Sequence, residues 1–323
     1  MLESNVHHPT DCNLLWDAAR KCVELLDAMH ESLGRGGWRK AKSWKRRIKN
    51  ATRACEKVAS LGGANKAERV VKSARNFLEL AGRLEEKVRG DIGELGNNPL
   101  SPLQLVQLEN IRYFHEMLVK HIDLVERRLV RGETIPHEEK VFSLFEPHTE
   151  LIKKGKVRPP VEFGHRVLLS TEHHGLIIDY KVMEGGSEPE EIMPLVRRLS
   201  ERFGKDSIAS LSTDKGFSSK ENRKYAEEFI EMVVMPKKGK RHAAERETER
   251  GRKWRKFKNR HSTIESDINC LEQHGLNRCP DKGLGGYKRY VGLGVLAFNL
   301  HRIGAALLSA RTEAKGRRRK KAS

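Results

Sequence analysis

Ile208-Ala209-Ser210-Leu211-Ser212-Thr213-Asp214-Lys215-Gly216-Phe217 reads as a short buried strand that ends on a carboxylate and a glycine turn. Its flanks say what sheet it belongs to. Upstream, Ser187-Glu188-Pro189-Glu190-Glu191 is a capped helix start, with Pro in the first turn and acids matched to the helix dipole. That helix is expected to run to about Phe203. Downstream, a helix begins near Ser219, and Met232-Val233-Val234-Met235 is a further strand closed by Pro236. Earlier still, residues 166–169 and 176–180 are two strands joined by His173-His174-Gly175, an antiparallel hairpin. Strand, strand, helix, strand, helix, strand predicts an α/β core over residues 136–310.

Residues 13–135 read differently. Leu14, Leu15, Ala18, Ala19, Cys22, Leu25 and Leu26 recur at helical spacing, and Gly34, Gly36 and Gly37 end the run. Further helices are expected over about 38–59, 66–90 and 103–131, with breakers at Leu61-Gly62-Gly63 and Asn97-Asn98-Pro99. Four such helices pack as a bundle or as paired hairpins, either as a scaffold or in contact with a partner.

At 323 residues the chain suits about two domains, or one with a large insertion. Apolar residues make up 37 %, which supplies a sizeable core and excludes general disorder. Cys12, Cys22, Cys55, Cys270 and Cys279 form no CxxC pair, so neither a zinc ribbon nor a disulfide framework is signalled, and a reducing compartment fits. The start, MLESNVHHPTD, lacks a secretory signal's basic and apolar regions. Residues 290–308 are the most apolar stretch. Asn299, His301 and Arg302 interrupt them, so a core helix is expected rather than a membrane span.

The net charge of +19 favours polyanions, nucleic acid first. It is concentrated. Residues 35–58 carry ten Lys/Arg and one Glu, residues 233–261 twelve Lys/Arg and three Glu, and residues 311–323 seven Lys/Arg and one Glu. These stretches sum to +24, so everything else is net acidic. Within the second, Arg252, Lys253, Trp254, Arg255, Lys256, Phe257, Lys258 and Arg260 combine cations with rings, a pattern suited to phosphate contacts and stacking on a base. Lys237, Lys238, Lys240 and Arg241 adjoin the same patch. A solvated helix face gives the same pattern. The last stretch, 311–323, is expected to be a disordered basic tail.

Asp214 follows a strand, where open α/β sheets place reacting groups, and Gly216 permits a sharp turn; an ordinary turn reads the same way. Ile264, Ile268 and Leu271 make one stripe of an amphipathic helix ended by Gly275. Glu265 lies in its first turn, where Ser262 and Glu265 fit a capping box, and by spacing alone the cap is favoured over catalysis. The His pairs 7/8 and 173/174 lack metal-ligand spacing, and Gly283 to Gly286 is not a phosphate loop.

Several stretches together resemble bacterial insertion-sequence transposases of the DDE type, in the subgroup left unclassified among those families. They are Leu211-Ser212-Thr213-Asp214-Lys215-Gly216-Phe217 with Asn222, Met235-Pro236-Lys237-Lys238-Gly239, Ile264-Glu265-Ser266, and His274-Gly275-Leu276-Asn277-Arg278-Cys279. Ser143-Leu144-Phe145-Glu146-Pro147-His148-Thr149 with Lys154-Gly155, and Tyr287-Lys288-Arg289-Tyr290-Val291 with Asn299-Leu300, add to them. In family order, these blocks cover the chain to about Gly304.

The resemblance implies an RNase H-like mixed sheet with a large helical insertion between its first two strands. It implies DNA cleavage and strand transfer at insertion-sequence ends in a bacterial cytoplasm, with Mg²⁺ or Mn²⁺ held by three acids. DNA ends and target are the implied partners, with self-association on DNA and no membrane. By carry-over Asp214 is the second acid and Glu265 the third. His261 stands where related families keep a helper Arg, one turn before the glutamate. The first acid belongs to a D-[ST]-T strand that the resemblance places about three residues before Met1, so residues 1–12 match only that strand's end and the following loop. Neither Glu146 nor Asp179 sits in the matching position. A truncated copy or a misplaced start is therefore expected, and an enzyme inactive as given. The alternative is a DNA-binding remnant or regulator that grips without cutting.

Overall fold

The computed structural model describes residues 1–153, 160–205, 207–237, 239, 240 and 242–321, and the chain is mixed α/β. It divides into two compact units, residues 6–148 and residues 1–5 with 149–323. Lys154, Gly155, Lys238 and Arg241, singled out above, lie outside the described residues.

The first unit is helical: α1 (Asp11–Ser32), α2 (Ala41–Ser60), α3 (Lys66–Gly96) and α4 (Pro102–Val125), the last continued by a π-helical turn, Glu126–Val130. The Thr10 hydroxyl starts α1 by accepting the Asn13 N–H at 3.1 Å. Ser101 and Gln104 form a capping box ahead of α4, with Pro102 in its first turn. Leu26 and Met29 of α1, Phe77, Leu84 and Leu95 of α3, and Ile111 and Leu118 of α4 share one core. α3 runs past Gly90 to Gly96, further than the sequence suggests. Each glycine there costs roughly 1 kcal/mol of helix propensity, and burial of Val88 and Leu95 offsets it.

His121 is fully buried in α4. Its Nδ1 donates to the Met117 carbonyl at 2.7 Å, and its Nε2 has no partner among the described residues. Burial pushes its pKa below the usual imidazole value. The unfolded chain therefore takes up a proton that the folded unit refuses. Stability is complete above about pH 6.5 and falls as the pH drops through that value toward the depressed one. His121→Leu is expected to flatten the acid side of the unfolding profile in this window. A profile that keeps its slope would assign the acid sensitivity to another group.

The second unit holds β1 (Leu2–Ser4), β2 (Glu150–Lys153), β3 (Val161–His165), β4 (Val167–Thr171), β5 (Ile177–Val182), α5 (Ile192–Phe203), β6 (Ser210–Ser212), α6 (Lys220–Glu227), β7 (Met232–Val234), α7 (Ala243–Arg250), α8 (Arg252–Leu271), β8 (Arg278–Cys279) and α9 (Gly283–Lys321). β1 lies inside a four-stranded sheet of order β2-β3-β1-β8, antiparallel to β3 and parallel to β8. Gly164 makes that pairing close: a Cβ there would stand 2.1 Å from the Leu2 carbonyl oxygen. Tyr287 of α9 ties the sheet together by donating to the Leu2 carbonyl and accepting the His165 N–H. β4 and β5 form the expected antiparallel hairpin, and β6 pairs parallel with β7 under Ile192, Val196, Ala226 and Met235.

Where the sequence suggests one mixed sheet, the hydrogen bonds among the described residues divide the strands among three. β2, β3 and β8 were not foreseen; they are short or carry polar residues that break the apolar pattern. α9 also departs from expectation. Residues 311–321 continue the helix instead of forming a disordered tail, since Lys, Arg and Ala are good helix formers. Tyr287, Val291, Val295 and Phe298 are core residues, yet the opposite face of α9 is open to solvent, so α9 is only half a core helix. The segment Gly283–Ala314 is long and apolar enough to cross a membrane by length and composition.

Candidate functional site

α8 explains how the candidate acids are positioned. Trp254, Ile264, Ile268 and Leu271, with Phe257 and His261 between them, recur at three- and four-residue steps along one face. The helix starts at Arg252, just after Gly251, and Ser262 lies well inside it. This overturns the capping-box reading. The Ser262 hydroxyl donates back to the Asn259 carbonyl at 2.6 Å, as Thr263 does to Arg260 at 2.7 Å. Glu265 is therefore a mid-helix, exposed carboxylate with no capping role.

Asp214 follows β6 and opens a short 3₁₀ turn, Lys215–Phe217. Its side chain is 71 % exposed, and its Oδ1 lies 2.9 Å from His261 Nε2. His261 stands one turn before Glu265, and residues four apart are neighbours on a helix surface, about 5–6 Å between Cβ atoms. The strand-end aspartate thus meets the stretch of α8 that carries the glutamate. Among the described residues neither carboxylate pairs with a Lys or Arg, despite the basic surroundings.

The turn differs from expectation in one detail. Gly216 is absent from the positive-φ glycines, so it does not turn the chain by backbone freedom. Its missing Cβ leaves room for Glu188, whose Oε2 lies 1.8 Å from the place a Cβ would take. Glu188 is thus a further acid beside the Asp214 turn, held 3.9 Å from Arg166 Nη1. Its part in the helix start masked it in the sequence.

Other acids have partners of their own. Asp179 is buried and bound by Arg198 at 2.8 Å, so its charge is already neutralised. Glu146 belongs to the helical unit and lies 2.9 Å from His148. Glu172, His173 and His174 bring candidate ligand atoms within 4.8 Å of one another, a cluster that adjacent numbering did not announce. The Glu172 carboxylate there already accepts the His174 and Leu176 N–H groups.

Arg252, Lys253, Arg255, Lys256, Lys258 and Arg260 are exposed on α8, and among the described residues none is neutralised by a salt bridge. Lys240 is exposed and Lys237 partly buried. Trp254 contradicts the stacking role expected of it: it is 4 % exposed and anchors α8, with Lys258 Nζ 5.4 Å from its ring centre. Trp254→Ala is expected to cost about 3–5 kcal/mol of stability in chemical denaturation and to leave the salt dependence of DNA binding unchanged. A stable variant with weakened DNA binding would show the ring in contact with the nucleic acid.

Comparisons with protein families, with curated proteins and with solved structures found no match.

The donor set suits a hard divalent cation. Asp214 and Glu265 offer water-facing carboxylate oxygens without a competing cation, and Mg²⁺ and Mn²⁺ take such oxygens while retaining bound water. The nitrogen-rich 172–174 cluster fits softer metals better.

Proposed function

We propose that this chain acts on DNA as a DDE-type transposase, with residues 1–5 and 149–310 serving as an RNase H-like core and α8 as its DNA-gripping element. The observation that carries the reading is the Asp214–His261 hydrogen bond, one turn from Glu265. It supports a shared role for the two carboxylates that the sequence blocks single out. Asp214 and Glu265 would hold Mg²⁺ or Mn²⁺, which supplies activation of a water or 3′-hydroxyl and stabilisation of the leaving oxygen. His261 orients Asp214 through Oδ1, and among the described residues the other oxygen has no partner. The exposed cations of α8 bind phosphates on the same helix that bears Glu265, so gripping and cutting groups share one rigid element.

A second reading has its own support. Among the described residues Asp179 is bound by Arg198 and Glu146 lies beside His148, which leaves Asp214 and Glu265 as the acids of the proposed set without such a partner but for His261. Residues 1–323 then bind DNA as a regulator of transposition without cutting it.

Iron-directed cleavage tests the site itself. Fe²⁺ substituted for Mg²⁺, with ascorbate and peroxide, cuts a polypeptide beside the residues that hold the ion. Cuts near residues 214 and 265, suppressed by excess Mg²⁺, are expected. Cuts confined to residues 172–174, or none, would remove Asp214 and Glu265 from any metal role.

A further inference from the structure

The outer face of α9 is unpartnered and regularly spaced. Leu293, Leu296, Leu300, Ile303 and Leu307 follow one another at steps of three and four residues, and Ala310 continues the series. This is a 3.5-residue period, the spacing at which two helices keep a common seam and interlock side chains. Each of the five large residues is 44–62 % exposed, and Leu308 at the rim is 64 % exposed. The positions that would flank the seam include Ala297, Gly304 and Ala306, small residues that let a second helix approach closely.

We propose that α9 is a self-association surface through which two copies of this chain pair as a short coiled coil, without nucleic acid. Three observations favour a second copy over other occupants. The first is area. The six large residues leave roughly 600–700 Å² of apolar surface, above what monomers commonly expose and close to the ~800 Å² each partner gives to a stable interface. The second is charge. Between residues 290 and 310 the only Lys, Arg, Asp or Glu is Arg302, which is bound to the buried Asp267, so the face offers nothing to a charged partner. A self-complementary stripe meets its own image across a twofold axis.

The third observation separates pairing from membrane insertion, for which the helix is long and apolar enough. α9 is fastened along its other side. Tyr287, Val291, Val295 and Phe298 lie in the core. The Asn299 amide accepts the Ile177 N–H at 2.9 Å and donates to the Ile177 carbonyl at 2.8 Å. Insertion would strip these contacts and the Arg302–Asp267 pair from the unit. Pairing keeps them all.

The test uses the full chain, nuclease-treated, in about 0.5 M salt so that DNA cannot bridge copies. Light scattering and sedimentation at tens of micromolar are expected to give twice the 36.9 kDa chain mass. Leu300→Glu with Ile303→Glu should raise the dimer dissociation constant at least about 100-fold, with unchanged circular dichroism because both residues face solvent. Should that variant misfold, Leu300→Cys gives an independent reading. Diamide, oxidising two thiols to one disulfide, should link Leu300→Cys copies and leave the unsubstituted chain and Leu103→Cys unlinked. A monomeric chain, or a dimer insensitive to the double substitution, would overturn the proposal. So would a monomer that floats with phosphatidylcholine–phosphatidylglycerol vesicles and loses that behaviour in the double variant.

Discussion

Nicking of element-end DNA in Mg²⁺ is expected from residues 1–323 fused behind an Asp-Ser-Thr strand that supplies a third acid. Asp214→Ala or Glu265→Ala in the grafted chain should then reduce nicking by about 10³-fold or more, roughly 4 kcal/mol of transition-state stabilisation. The graft has a frame to enter. β1 runs between β3 and β8, and added residues would continue it beyond its pairing of Leu2 with His165 and of Glu3 with Arg278. Two carboxylates suffice for one octahedral ion that keeps its water. A pair of ions about 3.5–4 Å apart repels strongly and needs negative charge between, which a third acid supplies. Robust cleavage by residues 1–323 as they stand would show another acid in that role. Glu188, beside the Asp214 turn, would then be the first to replace with Gln, and Glu146 the second.

Replacing Arg252, Lys253, Arg255, Lys256 and Lys258 together by Ala should remove most of the chain's DNA affinity. All five are exposed and free of salt bridges among the described residues, so nothing inside the protein competes for their charge. Each phosphate contact contributes about −0.9 to the log–log salt slope, so five contacts give a slope of roughly −4 to −5. The variant's slope should be flatter by that amount, with affinity near 0.1 M salt lower by about 10²–10³. Helix α8 survives the change, because Ala is the best helix former and Trp254 still anchors it. An unchanged slope would make these side chains a solvated face and move the DNA elsewhere.

What the sequence made legible follows from how much chain each signal spans. The four long helices and the β4–β5 hairpin announce themselves through period and turn chemistry over many residues. β8 is two residues long and β1 three, and strands so short leave no period to read. Pairing among strands is non-local, so the split into three sheets had no local signature. On α8 the buried stripe through Trp254, Ile264 and Leu271 was already written in the spacing. Reading the helix only from Ser262 hid it, and so gave Trp254 a base to stack on and Glu265 a cap to form. On α9 two apolar stripes interleave: 287, 291, 295 and 298 inward, and 293, 296, 300 and 303 outward. A run apolar on both sides reads as buried, and only packing separates the faces. The Asp214–His261 contact joins residues far apart in sequence; the family blocks suggested both positions, but their hydrogen bond is a product of the fold.

Calorimetric titration of the 323-residue chain with Mn²⁺, in a background with His173 and His174 replaced by Ala, shows whether Asp214 and Glu265 hold a divalent ion. One weakly held ion is expected, lost on Asp214→Asn and on Glu265→Gln while folding and DNA binding persist. Equal Mn²⁺ binding in those two variants, or none in their parent, would contradict it.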